Sequence, residues 1–299
     1  MGSKIGFFGF SASEKIGARL IQRFIRQQIN IFFFIKVFIP LSYLPQMKIT
    51  FLGTGTSQGV PLIACNCEVC TSADARDKRL RSSLLVQSGN LNIVIDSGPD
   101  FRQQMLQCGI RHLDALVFTH AHKDHIAGMD DIRGFNFSMR KPIQVYCTQQ
   151  VENQMRKEFA YIFDEHKYPG IPDIVLNRID TSPFNIGGLD ITPIEVLHYK
   201  LPVLGFRFGK FTYITDANFI AEEEKQKIKG SEYLVLNALR RESHISHFNL
   251  DEAIQLIDEL APRKGFLTHI SHQLGLHADV SKELPSHIAL AYDGLTLDV

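Results

Sequence analysis

The chain has 299 residues, of which 44% are hydrophobic and 21% charged, with 32 basic and 32 acidic side chains. These are the proportions of a folded globular chain, and they exclude wholesale disorder. Its five cysteines are few and odd in number, which excludes a secreted disulfide scaffold.

The zero net charge hides an uneven distribution. Residues 1–46 carry six basic side chains and one acidic side chain, whereas residues 47–299 carry 26 basic and 31 acidic side chains. Sequence-independent binding to nucleic acid depends on neutralising phosphates with Lys and Arg. Because the larger part of the chain is acidic, we do not expect nucleic acid as a partner.

Residues 1–46 differ from the rest of the chain. A basic amphipathic stretch from Ile16 leads into an apolar run at 31–39. The run contains Lys36 and is shorter than the roughly 20 apolar residues of a membrane-spanning helix, so we predict no transmembrane segment. A small-residue cleavage site, as in a signal peptide, does not follow it. We interpret residues 1–46 as an extension outside the fold, with Met47 as the functional start; an interfacial membrane anchor and a helix packed on the domain are the alternatives.

From Met47 onward, short β-type runs alternate with amphipathic helical stretches. The predicted strands cover 48–52, 83–87, 92–96, 114–119, 143–147, 190–197, 204–208, 211–215, 233–237, 265–268 and 295–298. The predicted helices cover 100–108, 149–162, 220–229 and 249–260, the last with Asn249 as its N-cap. Groups of strands followed by helices favour two mixed β-sheets with helices on the outer faces. We predict a single α/β domain over 47–299.

The densest set of chemically active side chains follows the predicted strand that begins at residue 114. His120, His122, Asp124 and His125 lie on one short loop. Neutral imidazoles and carboxylates are ligands for zinc, manganese or iron. On an extended segment His120 and His122 can reach one ion, while Asp124 and His125, on the following turn, can reach a second. The alternative is a polar loop with accidental histidines.

The pattern His120-x-His122-x-Asp124-His125 resembles the second motif of the metallo-β-lactamase superfamily. Asp96, His198, Asp216 and His269 each lie at the end of a predicted strand, in the order of the other motifs. Each of them alone would be interpreted as a capping or surface group. The resemblance covers 47–299 and implies the metallo-β-lactamase fold, an αββα sandwich.

The same resemblance implies a ligand set for two divalent metal ions, zinc or manganese. The first ion would be bound by His120, His122 and His198. The second would be bound by Asp124, His125 and His269, with Asp216 bridging the pair. Asp96 would orient a liganding histidine from outside the ligand set.

Three cysteines form a separate cluster. Cys65, Cys67 and Cys70 are spaced as Cys-x-Cys-x-x-Cys, which suits a tetrahedral zinc site that needs one more ligand. His272 can supply that ligand while His269 serves the other centre. The alternatives are buried free thiols, or one disulfide and a spare thiol. We predict a structural zinc ion here.

These features together resemble the phosphoribosyl cyclic phosphodiesterases of the carbon–phosphorus lyase pathway. The matching segments are 53–61, the three cysteines, 267–273, Asp293-Gly294, and His247 just before the predicted helix at 249. In those enzymes, and in tRNA 3′-processing ribonucleases, the equivalent histidine serves phosphodiester cleavage. The resemblance implies hydrolysis of a small cyclic ribose phosphodiester by hydroxide activated between two metal ions. His247 would be the general acid and Asp216 the other catalytic residue; alone, His247 would be interpreted as a cap neighbour.

Other functions remain open at this stage. They are a tRNA-processing endoribonuclease, a thioesterase of the glyoxalase II kind or a lactamase, and a non-catalytic metal-binding module. We expect a cytoplasmic protein, and the resemblance implies a homodimer. Arg240 and Arg241 either contact phosphate or ribose or are a solvated pair, and we favour the second interpretation.

Overall fold

The structure is a computed structural model that describes residues 47–166 and 168–299. The predicted extension over 1–46, with its alternatives, lies outside the described residues. The described fold begins at Met47, with the first strand.

One mixed sheet has seven strands in the order β14-β1-β2-β3-β4-β5-β6. The strands β1, β2, β3 and β14 pair antiparallel, whereas β3 to β6 run parallel. The strands are β1 (Met47–Gly53), β2 (Ser83–Ser88), β3 (Leu91–Ile95), β4 (Ala115–Val117), β5 (Ile143–Cys147), β6 (Ile174–Arg178) and β14 (Thr296–Asp298).

The second mixed sheet also has seven strands, in the order β13-β12-β11-β10-β9-β8-β7. The strands β7 to β10 pair antiparallel, and β10 to β13 run parallel. The strands are β7 (Phe184–Ile186), β8 (Leu189–His198), β9 (Leu201–Phe208), β10 (Phe211–Tyr213), β11 (Tyr233–Asn237), β12 (Lys264–Thr268) and β13 (Ile288–Leu290).

Helices connect the strands. Asn249 caps the helix that begins at Leu250, accepting from the Glu252 amide at 2.9 Å, and Glu252 accepts from the Asn249 amide in return. This capping box confirms the predicted N-cap. The α-helices are α1 (Glu68–Thr71), α2 (Phe101–Cys108), α3 (Lys123–Ile126), α4 (Arg133–Met139), α5 (Gln149–Glu158), α6 (Glu222–Ile228), α7 (Leu250–Leu260) and α8 (His277–Glu283); short 3-10 turns cover Ala75–Asp77, Met129–Ile132 and Ala160–Ile162.

The strands bury both of their faces, because successive side chains point to opposite sides of a sheet. In β3, Ile93 and Ile95 pack in the core between the two sheets, and Val94 packs in the core on the outer face of the first sheet. Side chains of α2 and α5 share that outer core, and α7 packs on the outer face of the second sheet. The predicted αββα sandwich with two mixed sheets is therefore confirmed.

Several predicted boundaries are wrong. The helix predicted over 149–162 ends at Glu158, because Phe159 leaves helical geometry (φ −120°, ψ 43°). Strands β6, β7 and β13 were not predicted: β6 and β7 lie at sheet edges without a clear apolar alternation, and β13 has only three residues. The strand predicted from 204 begins earlier, at Leu201. The prediction started it too late because Pro202 lies inside it, and proline within a run argues against a strand.

No helix in the part of the chain that the structure describes is both long and apolar enough to cross a bilayer.

Candidate metal centre

The side chains of the predicted metal centre lie just past the ends of strands. Asp96 follows β3, Asp216 lies shortly after β10, and His269 follows β12. These three residues adopt left-handed backbone conformations, with φ of 63°, 57° and 54°. Such a conformation costs of order 1–3 kcal/mol for a non-glycine residue and persists only where the surrounding structure enforces it. The fold therefore holds these side chains in place at an energetic cost.

The segment that carries His120 to His125, which includes most of α3, contacts the end of β3 directly. The Ser97 amide donates to the His125 carbonyl oxygen at 2.8 Å, and the Gly128 amide donates to the Ser97 carbonyl oxygen at 2.7 Å. A side chain on Gly98 would clash with the carbonyl oxygen of Asp124. Glycine at this position thus permits the close approach.

His120, His122 and His198 form the first group of ligand atoms, which lie within 4.8 Å of one another. His120 Nε2 is 3.0 Å from His122 Nδ1. His198 donates from Nδ1 to the carbonyl oxygen of Ser246 at 2.8 Å, which leaves its Nε2 available as a ligand.

The second group surrounds Asp216. Its Oδ2 lies 3.3 Å from His125 Nε2 and 3.2 Å from His269 Nδ1. Asp124 Oδ2 is 3.1 Å from the same His125 nitrogen. Asp216 also forms a ligand-type group with His120 and His125. It therefore lies between the two groups, where a bridging carboxylate would be.

Asp96 is fully buried next to this second group. Its Oδ2 accepts from His125 Nδ1 at 2.7 Å, and it also accepts from the Thr119 amide and hydroxyl at 2.9 and 2.8 Å. A carboxylate hydrogen bonded to one imidazole nitrogen fixes the ring so that the other nitrogen points at the metal position. This geometry suits the orienting role predicted for Asp96.

Burial and neighbouring carboxylates together set the pKa values of the histidines in this centre. Burial lowers the pKa of His120, and the neighbouring His125 lowers it further. Burial also lowers the pKa of His269. In His125 burial acts in the same direction, but the carboxylates of Asp124, Asp216 and Asp96 outweigh it and raise the pKa well above its usual value. His120 and His269 are accordingly neutral near pH 7, which is the form that binds a metal.

The donor set fits two divalent cations. Asp96 and Asp216 are fully buried, with Asp124 close by, and several buried carboxylates are costly without a compensating cation. His125 Nε2 is buried without a hydrogen bond among the described residues. The residues that would hold the two ions are His120, His122 and His198 for one, and Asp124, His125 and His269 for the other, with Asp216 between them.

His247 lies at the edge of both groups. Its ring centroid is 4.6 Å from that of His198 and 4.8 Å from that of His269. Its Nδ1 is 3.9 Å from Asp216 Oδ1, and it is buried without a hydrogen bond among the described residues. Burial first, and His269 second, lower the pKa of His247 to about 3, so the free protein holds this imidazole neutral near pH 7.

His244 belongs to the same segment and was missed from the sequence. Its Nδ1 accepts from the Ser246 amide at 3.3 Å, and its ring centroid is 5.1 Å from that of His247. Because Ser246 also accepts from His198, this short segment connects His244, a candidate ligand and His247. The visible signal was a second histidine three residues before His247. Ser82, whose Oγ lies 3.2 Å from His269 Nδ1, had no sequence signal.

Arg240 is half-buried and Arg241 is exposed, and both also form hydrogen bonds within the protein. Arg240 donates to Gln273 Oε1 at 3.1 Å and to the Ser243 carbonyl oxygen at 3.0 Å. Arg241 donates to the Leu274 carbonyl oxygen at 3.1 Å. The interpretation as surface side chains agrees with their exposure, and the structure adds that both guanidinium groups join the segment before His247 to the segment that follows β12.

The cysteine cluster and His272 form a second, separate site. The ligand atoms of Cys65, Cys67, Cys70 and His272 lie within 4.8 Å of one another, and His272 Nδ1 is 3.4 Å from Cys65 Sγ and 3.3 Å from Cys67 Sγ. The hydrogen bond from His272 lowers the pKa of Cys67 to about 6, whereas burial raises the pKa of Cys70 to about 11. A cation beside the buried Cys70 thiol would favour its thiolate form, and this set of three cysteines and one histidine fits tetrahedral zinc with no open position.

This cysteine site joins two distant parts of the chain. Thr56 donates from its amide to the Ile270 carbonyl oxygen at 3.1 Å, and the Ile270 amide donates to the Thr54 carbonyl oxygen at 2.9 Å. The loop after β1 is thus paired with the segment between His269 and His272. A metal ion bound by the cysteines would hold that segment in position.

The family of the chain follows from its comparison with known proteins. Residues 91–270 match the beta-lactamase superfamily domain. The chain belongs to this superfamily, and a 36% identical structure places it close to the PhnP family.

Three individual relatives show how similar the chain is to known proteins. A crystal structure of a diphosphatase from the PhnP family is 36% identical, with a TM-score of 0.81, covering 86% of this chain and 98% of that one. The zinc-bound PqqB of Methylobacterium extorquens, 19% identical with a TM-score of 0.68, covering 84% of this chain and 100% of that one, shares the fold. An octanoyltransferase of Porphyromonas gingivalis is 40% identical over 252 residues, which are 83% of this chain and 51% of that protein. The chain spans about half the length of this curated relative.

Proposed function

We propose that this protein is a metal-dependent phosphodiesterase that hydrolyses a small cyclic ribose phosphodiester, with His247 donating a proton to the leaving oxygen. The observation that carries the proposal is the position of His247. It lies beside His198 of one ligand group and His269 of the other, at 4.6 and 4.8 Å between ring centroids. A phosphate group over the centre would therefore have an imidazole at its edge.

The metal ions, zinc or manganese, would supply a water of lowered pKa and would offset the negative charge on the phosphate oxygens. The chain's own residues hold this arrangement rigid. Asp96 fixes His125 through a 2.7 Å hydrogen bond, and Ser246 fixes His198 through one of 2.8 Å. Because these contacts already hold His125 and His198 in position, the two imidazoles need no rearrangement when charge develops in the reaction.

His247 takes up a proton from solvent when the substrate binds. In the free protein burial holds the pKa of His247 at about 3. A bound phosphodiester brings a negative charge close to the ring, which raises the pKa and favours protonation. The oxygen of the attacking water or hydroxide bonds to phosphorus as the bond from phosphorus to the ribose oxygen breaks, and His247 donates its proton to that ribose oxygen. Because an alkoxide is a poor leaving group, such donation accelerates the reaction by about 10²–10⁴-fold.

A second candidate substrate is a small diphosphate. The PhnP-family relative at 36% identity is a diphosphatase. Hydrolysis of a diphosphate releases a phosphate, which leaves with much less help from a proton donor than an alkoxide does. The loss of rate in a His247 variant therefore separates the two candidate substrates. It should be large for the cyclic phosphodiester and small for the diphosphate.

We propose a structural role for zinc bound by Cys65, Cys67, Cys70 and His272. All four positions of a tetrahedral ion would be occupied by protein. The site lies on the loop that pairs with Ile270, next to His269. It would support the catalytic centre by holding His269 in place.

The test is a substrate panel on the full chain with its metals bound. The panel contains a 5-phosphorylated ribose 1,2-cyclic phosphate, an aryl phosphodiester, ADP-ribose as a diphosphate, precursor tRNA and a glutathione thioester. We expect hydrolysis of the cyclic phosphate, loss of activity with a chelator, and about three metal ions per chain by elemental analysis. Activity on the thioester or tRNA alone, or activity that survives complete metal removal, would contradict the proposal.

A further inference from the structure

We propose that a groove between α2 and α4 binds a medium-chain fatty acid, with the acyl chain on the apolar floor and the carboxylate at the arginines of the rim. We call this cavity the helix groove; it is lined by residues within 101–111 and 131–138 and has a volume of about 590 Å³. Small-molecule sites have volumes of about 300–1,000 Å³. None of the candidate metal ligands lines the helix groove, so the inference goes beyond the proposed function and does not depend on it.

The floor of the helix groove is apolar. Phe101 and Met105 of α2 are buried in the outer core of the first sheet, and Phe135 of α4 packs against the same core. Leu106 and Phe137 line the groove as well, although they are 66% and 64% exposed. Two large apolar side chains that stand in water along one cavity form an apolar patch, and a hydrocarbon chain in the cavity would remove that patch from water.

Arginines supply positive charge to the same groove. Arg102, Arg111 and Arg133 all line it. Arg133 pairs with Asp130 at 3.2 Å, whereas Arg102 and Arg111 are exposed and form no ion pair with the described residues. Unpaired guanidinium groups beside an apolar floor favour an anion that carries a hydrocarbon chain. Asp131 also lines the groove, and it repels a singly charged carboxylate less than a doubly charged phosphate.

Gly134 leaves open space in the wall of the helix groove. It is the second residue of α4, and glycine is less favourable in a helix than alanine. Its φ is not positive, and a Cβ atom at this position would meet no described atom within 4 Å. Neither the backbone conformation nor packing among the described residues therefore requires a glycine here. A ligand that lies against α4 would use this space.

Other occupants fit the helix groove less well. Residues 1–46 carry six basic side chains and one acidic side chain, so they would add positive charge beside the arginines. A second protein molecule needs roughly 800 Å² of surface on each partner. The helices α2 and α4 have eight and seven residues and are only about 12 and 10 Å long. That length suits an acyl chain better than a protein partner.

The experiment is titration calorimetry on the full chain with its metals bound. The probes are decanoate, hexanoate and decanol, each below the concentration at which it aggregates. Gly134→Leu places a side chain in the groove, and leucine is a better helix former than glycine. Arg102→Gln with Arg111→Gln removes the unpaired charges. Lys229→Gln with Lys282→Gln is the matched control, because both lysines are exposed and lie outside the groove.

We expect the wild type to bind decanoate at least about tenfold more tightly than hexanoate, because four more methylene groups leave water. Decanoate should also bind about tenfold more tightly than decanol, which lacks the charge. Gly134→Leu should weaken decanoate binding about tenfold. The arginine double variant should lose about tenfold on decanoate and keep its affinity for decanol. The lysine double variant should bind all three probes like the wild type.

Several results would overturn the inference. They are a wild type that does not bind decanoate, as when residues 1–46 or a second copy cover the groove, equal affinities for decanoate and decanol, and the same loss in the lysine control. Thermal denaturation would check that each variant folds. If Gly134→Leu does not fold, Leu106→Ser with Phe137→Ser takes its place, and unchanged decanoate affinity in that variant would overturn the inference.

Discussion

The two candidate metal sites of this protein are built in opposite ways. We call the predicted two-metal centre, with its histidine and aspartate ligands, the His–Asp centre. It takes its side chains from positions as far apart as 120 and 269, and Asp216 at its middle is buried. The cysteine site takes three of its ligands from 65–70 and adds one distant residue, His272, and three of its four residues are partly exposed. One site is assembled by the whole fold, whereas the other is mainly local.

The two sites therefore depend on different parts of the molecule. The His–Asp centre needs both sheets and the strained backbone at Asp96, Asp216 and His269. The cysteine site depends on its own loop and on the short pairing with the segment at Ile270. Changes in the first site should therefore alter the reaction, and changes in the second should mainly alter the stability of the loops around it.

The largest effect is expected for Asp216→Asn. The change removes the charge between the two ligand groups and should lower kcat by at least about 10³-fold. Kinetics on the cyclic phosphate together with elemental analysis would measure it, and metal content should fall at the His–Asp centre while the cysteine site keeps zinc. Asp251→Asn, at the exposed start of α7, is the control. Retention of full activity by Asp216→Asn would break the assignment of the centre.

The next effect concerns His247→Ala. We expect a loss of about 10²–10⁴-fold on a cyclic ribose phosphate and a much smaller loss on an aryl phosphodiester, whose leaving group needs no proton. Initial rates on both substrates give the two ratios, and His112→Ala, with its half-exposed side chain, serves as the control. Equal losses on the two substrates would show that His247 does not act as the general acid.

A smaller effect, on stability, is expected for Cys67→Ser. Loss of this ligand should remove the zinc of the cysteine site and lower the free energy of unfolding by roughly 3 kcal/mol. Thermal denaturation and zinc content would measure the change, with the folded fraction keeping most of its metal at the His–Asp centre. Cys108→Ser provides the control, because Cys108 lies outside the cluster. If zinc content and melting temperature both stayed at the wild-type values, the site would have no structural role.

The smallest effect is expected for His244→Ala. His244 accepts from the Ser246 amide and so positions the segment that leads to His247. We expect kcat to fall about fivefold on the cyclic phosphate, because a misplaced His247 donates its proton less effectively. On the aryl ester, whose leaving group needs no proton, we expect no loss. His244→Asn should restore the rate, because an asparagine oxygen can accept from the amide two residues on. Failure of asparagine to restore the rate would argue against positioning.

Much of the site could be predicted from the sequence because its chemistry is concentrated in short motifs. His120, His122, Asp124 and His125 lie on one loop, and their spacing alone indicates metal ligands. His244 and Ser82 could not be assigned in this way, since their roles come from hydrogen bonds to Ser246 and His269. The hydrogen bonds of Arg240 and Arg241 could not be predicted for the same reason: their partners, such as Gln273, lie far away in sequence.

By itself, the sequence indicated two mixed sheets with helices outside and a loop of metal-ligand side chains, because hydrophobic periodicity and side-chain chemistry are local properties. Its resemblance to a known superfamily implied the αββα class and the full ligand set. Only the tertiary structure decided which groups meet and which strands form the sheet edges. The physical reason is that ligand distances, burial and the pKa of His247 depend on contacts between segments far apart in the chain. Spacing along the sequence does not contain those distances.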